Sequence, residues 1–219
     1  MQKNAICQLF KYFVISLLFM LLGFTIGVLF IPESIVAIAN VIMIVFLIGL
    51  LIFTLIMKFK HKHTTGKISF PMEYVYTYTF IEGVLLYPTL VYYLESLGVA
   101  LFFNIVLGTI AIFGLLSYIA AKQPAGRFVG LGKILLTSLF VMLVMIIVNA
   151  FLQVPFINTL LSIAGVIIFS AYTLYDVNRF KTDLESGFIQ TKNDYSIYCL
   201  DLFLDFINLL LDILDLFDN

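Results

Sequence analysis

Residues 196–217 read SIYCLDLFLDFINLLLDILDLF. Without its polar residues this stretch is an ordinary membrane span, about 20 apolar residues long. The polar residues are Asp201, Asp205, Asn208, Asp212 and Asp215, spaced 4, 3, 4 and 3. On a helix that spacing puts all five on one side. A helix that is apolar except for one acidic stripe points to a membrane protein that handles protons or cations.

The rest of the chain fits a lipid solvent. Of its 219 residues 63% are hydrophobic and 11% charged, and the mean hydropathy is +1.12. A soluble domain is about 45–50% apolar and about 25% charged, so this chain has more apolar surface than its own core can hide. The net charge of −1 names no partner, and nothing resembles a nucleic-acid module. Cys7 and Cys199 form no C-x-x-C and support neither a disulfide framework nor a zinc knuckle.

Apolar runs long enough to cross about 30 Å of hydrocarbon fall at 12–31, 36–57, 74–94, 97–121, 128–152, 155–177 and 196–217. They predict an all-α, seven-transmembrane-helix bundle over residues 1–219, with short loops and no domain boundary. Pro32, Pro124 and Pro155 punctuate span ends, and Pro88 inside the third span predicts a kink. The first run is longer than a signal-peptide core and reads as a retained span. With the loops assigned alternately, all 12 basic residues fall on one side. The positive-inside rule makes that side, and the amino terminus, cytoplasmic. The carboxyl terminus is then outside, unless the last segment re-enters.

Ionisable groups at membrane depth need a protein or water partner. At a 1.5 Å rise, Asp201 lies about 7 Å and Asp205 about 13 Å into the last helix, which puts Asp205 near the midplane. Asp212 and Asp215 fall near the outer end, where they line an outer mouth or simply face solvent. Asp176 ends the sixth span in YTLYDVNR, either neutralised by Arg179 or Lys181 or paired across the bundle with Asp205. Two carboxylates at contact share a proton instead of both ionising. Such a pair is a pH switch: protonated it ties two helices together, and deprotonated it offers oxygen ligands to Ca²⁺. Glu82, ten residues into the third span, either extends the polar pathway with Asp201 and Asn208 or bonds a neighbouring helix. Asn104 and Asn149 read as interhelical hydrogen bonds, and Gly23-x-x-x-Gly27 and Gly126-x-x-x-Gly130 as close-packing sites. His61 and His63, in a basic loop, read as solvent- or lipid-facing.

LYDVN (174–178), then DYSIYCLDLFLDFINL (194–209), resembles the carboxyl-terminal signature of the Bax inhibitor-1 (TMBIM) family, and FIEGVLLYP (80–88) is similar to its third-span motif. The likeness runs over essentially the whole chain and is nearest to the bacterial YetJ-type members. It implies a pH-sensitive calcium leak channel in the bacterial plasma membrane, with Ca²⁺ as permeant ion and no cofactor. Its pH-sensing pair matches Asp176 and Asp205, which would also hold Ca²⁺ transiently. A latch on that pair matches Lys58, where the YetJ type has Arg, and Lys lacks the planar two-pronged contact of Arg. The family also permits a non-conducting stress regulator that binds other membrane proteins, such as a quality-control protease. An enzyme is not expected. A presenilin-type aspartyl protease needs G-x-G-D and P-A-L motifs, and there is no glycine from Ser196 onward.

Overall fold

The computed structural model describes residues 2–32 and 69–218. They form six α-helices: α1 (Gln2–Phe30), α2 (Met72–Leu97), α3 (Val99–Lys122), α4 (Gly132–Leu152), α5 (Pro155–Glu185) and α6 (Ser196–Asp218). Short 3-10 turns, Val129–Leu131 and Lys192–Tyr195, lead into α4 and α6. The second expected span, 36–57, lies outside the described residues, as do Lys58, His61 and His63.

Among the described residues four segments are long and apolar enough to cross a membrane: Asn4–Phe30, Val99–Lys122, Val129–Leu152 and Pro155–Glu185. α2 and α6 have spanning length, 26 and 23 residues, but α2 carries three glutamates and α6 five aspartates. Two helices outrun their apolar cores. α1 begins ten residues before residue 12 because nothing in QKNAICQLFK breaks a helix. α5 continues past residue 177 to Glu185 and stops just before Gly187, at φ 74°. That left-handed conformation suits glycine and ends helices.

The chain divides into two compact units. The first comprises residues 1–8, 93–187 and 200–219. In it α5 packs on α3 and α4, and Phe113 of α3 meets Phe206 of α6 edge to face at 5.4 Å. Most of α4 points outward, with Leu135 and Asn149 its buried residues. Val141, Met145 and Val148 are among its exposed side chains, as suits a helix solvated by lipid. Asn149 is the glue expected of it. Its amide donates to the Val154 carbonyl and to Asn158 and accepts from the Val154 N–H, tying the α4–α5 turn. Asn104, by contrast, is exposed on α3 and makes no interhelical hydrogen bond among the described residues.

The second unit comprises residues 9–92 and 188–199. Here α1 and α2 cross at glycines. A Cβ at Gly23 would overlap the Phe80 carbonyl, and one at Gly83 the Met20 carbonyl. The expected packing role of Gly23-x-x-x-Gly27 therefore holds, with Gly27 under the Tyr87 ring. The same expectation fails for Gly126 and Gly130, where an added Cβ would meet nothing within 4 Å among the described residues. Gly126 instead supplies a turn at φ 83°.

Candidate functional site

The acidic stripe of α6 faces α5, and three contacts fix an antiparallel register. Arg179 meets Asp201, Gly165 meets Asp212, and Ser162 meets Asp215. This explains how the stripe survives in an apolar chain: its carboxylates look into protein, and Asp201 and Asp215 find partners there.

At the Glu185 end of α5, Arg179 is the centre of charge. Its Nη1 donates to Asp201 Oδ2 at 3.2 Å and lies 3.6 Å from Asp176 Oδ1, while Nε is 3.9 Å from Asp183 Oδ2. Asp176 is 4% exposed. Of the two basic residues expected to neutralise it, Arg179 does so. Lys181 instead donates to the carbonyls of Ala121 and Gln123 at the end of α3, where the helix dipole favours a cation. Neighbouring side chains hold the same connection. Asn178 accepts from Phe128 N–H and donates to Pro124 O, and Gly126 N–H donates to Thr182. Thus the polar run after Asp176 serves two ends, fixing the α3–α4 loop and holding the guanidinium.

One turn deeper, Asp205 is 5% exposed. Buried Tyr172 of α5 lies within Coulombic reach of Asp176, Asp205 and Asp201 together. Tyr175 lies within reach of Arg179, Asp176, Asp201 and Asp183, its hydroxyl over Gly132 at the start of α4. Asp176 and Asp201 thus lie near both tyrosines and Asp205 near Tyr172, a setting that the spacing of the carboxylates did not announce, and among the described residues no three His, Cys, Asp or Glu side chains are grouped to hold a metal ion.

At the Pro155 end of α5, Asp212 and Asp215 do not simply face solvent. Asp215 accepts from Tyr93 at 3.3 Å and from Ser162. Asp212 packs on Gly165, and its Oδ2 is buried without a hydrogen bond among the described residues. A cavity of about 420 Å³ adjoins them, lined in part by Asn149, Gln153 and Asn158. Asn208, between these ends, donates to the Leu204 carbonyl of its own helix at 2.8 Å, and among the described residues that amide reaches no other helix. Glu82 belongs to the second unit. It is 2% exposed, and its hydrogen-bond partner among the described residues is Tyr78 one turn back on its own helix, at 3.1 Å.

Outside the spans, Lys192 bonds Glu73 at 3.2 Å. Glu73's own backbone N–H and then Lys192 hold that carboxyl below its usual range.

The family model for the inhibitor of apoptosis-promoting Bax1 matches residues 2–219. Two uncharacterized proteins, from Helicobacter pylori strains 26695 and J99, are each 28% identical over 142 residues. The match covers 65% of this chain and 58% of each relative, so the chain spans less than two thirds of their length.

Proposed function

This chain belongs to the Bax inhibitor-1 family, and from that premise we propose that it is a pH-sensitive calcium leak channel of the bacterial plasma membrane, with its amino terminus inside. Asp176 and Asp205 are the gating pair. The observation that carries the reading is their common setting. Both are nine-tenths or more buried, on adjoining helices, and both lie within Coulombic reach of the same Tyr172. Sequestered acids so placed exchange protons only at a cost set by their neighbours. Protonation holds α5 and α6 together, and ionisation frees oxygen ligands along the interface for a hard cation. Asp201 extends the ligand set inward. Asp212, Asp215 and the cavity beside them form the outer mouth.

The test is Ca²⁺ flux against pH in proteoliposomes, comparing wild type with Asp176→Asn and Asp205→Asn. Either substitution should abolish the pH dependence, and unaltered flux profiles would end the assignment. Absence of flux in wild-type vesicles, with a stable co-purifying membrane protein, would favour the regulator reading.

A further inference from the structure

We propose that Arg179 is a tethered competitor for the permeant cation. Its guanidinium occupies the carboxylates of Asp176 and Asp201 and must leave them before a metal ion binds there. The inference rests on the cation-leak reading of this site and adds the residue that sets its occupancy.

Three observations carry it. Arg179 bridges two helices through one nitrogen, 3.2 Å from Asp201 and 3.6 Å from Asp176. Those oxygens are ones a hard cation would use, and they cannot serve both at full strength. Arg stays charged at every accessible pH, so protonation and metal are what can release it, never its own titration. The side chain is also built to leave. It is 26% exposed, and Asp183, one turn on at 3.9 Å and 29% exposed, offers a second carboxylate toward the helix end. The guanidinium can therefore pass from Asp176 and Asp201 to Asp183 while α5 stays intact. No bond is made or broken in this exchange. One cation replaces another on the same carboxylates.

The full-length chain in detergent is titrated with Tb³⁺, a luminescent substitute for Ca²⁺. The chain has no tryptophan, so tyrosine sensitises the emission, and the component lost in Tyr172→Phe reports this site. Arg179→Gln should bind Tb³⁺ about tenfold tighter or more, the scale on which a nearby opposite charge acts on a carboxylate. Arg179→Lys should stay near wild type. Binding by Arg179→Gln no tighter than wild type overturns the proposal.

A second measurement uses wild-type protein, should Arg179→Gln fail to fold. Arg127 and Arg179 are the only arginines, and peptide mass spectrometry separates their modification by phenylglyoxal. Saturating Tb³⁺ should speed modification of Arg179 and leave Arg127 unchanged. An unchanged Arg179 rate overturns the proposal. The two readings fail separately. Vesicles without flux but with the Arg179 effects retire the leak and keep the competition. Normal flux with unchanged Tb³⁺ binding does the reverse.

Discussion

Gly165 of α5 lies against the carboxylate of Asp212 on α6, so closely that a Cβ on the glycine would overlap both carboxylate oxygens. Position 165 therefore has to lack a side chain for the acidic stripe to seat on α5. Gly165→Ala should destabilise the chain by about 1–3 kcal/mol, the usual cost of overpacking, seen as a lower midpoint of thermal unfolding in detergent. Asp212→Ala removes the obstructing group. The double variant should then be less destabilised than the two single losses added together, since groups in contact do not behave additively. Strict additivity would show that the two residues do not meet.

The crossing of α1 and α2 makes a harder demand, because the atoms in the way are backbone. Gly23→Ala and Gly83→Ala each drive a methyl into a carbonyl of the opposing helix, which no rotamer change relieves. Each should cost at least as much as Gly165→Ala, about 2–3 kcal/mol. Gly108→Ala and Gly114→Ala are the internal controls. Both sit in α3 with nothing among the described residues within 4 Å of the added carbon. There alanine should be neutral or better by up to about 1 kcal/mol, from helix propensity alone. Equal losses at all four sites would refute the close crossing.

Much of this was open to reading in the chain itself. Apolar run length places the described helices, and the 4, 3, 4, 3 spacing places the carboxylates on one face. What the spacing leaves open is which helix that face meets. Two periodic helices can be slid past one another without changing either pattern, so the pairing of Asp201 with Arg179 and of Asp212 with Gly165 is a property of the tertiary register. A signal for it exists in hindsight, since a glycine inside a long helix opposite a bulky stripe marks a close approach. Asn178 was silent for another reason. Its two partners lie on a loop some 50 residues away in sequence, and nothing local distinguishes it from an exposed amide. Gly126-x-x-x-Gly130 misled because spacing alone cannot separate a packing face from a turn that needs positive φ.

The two cysteines give a direct check on burial and on orientation. Cys7 is exposed near the start of α1, and Cys199 is fully buried in α6. Buried thiols in apolar surroundings are inert. A membrane-impermeant maleimide should label native protein at Cys7 alone, and at both sites after denaturation. With the amino terminus inside, as the basic residues imply, Cys7 should react in inside-out vesicles and be protected in intact spheroplasts. Labelling in spheroplasts would invert the proposed topology, and native labelling at Cys199 would contradict its burial.

Glu73 and Lys192 give a pH dependence outside the membrane. The folded pKa of Glu73 lies below its ordinary 4.5, so folding favours the ionised form. Its contribution is then fully present above about 4.5 and is lost as pH falls through the lowered folded value. Both side chains are more than half exposed, so the effect is small and weakens in salt. The readout is amide hydrogen exchange over residues 188–195, compared with Glu73→Gln at each pH to cancel the intrinsic rate. Wild type should be the better protected at about pH 6–7, and the two should converge at about pH 3. A difference that persists at the acid end, or grows there, would mean that the segment is held by something other than the Glu73 carboxylate.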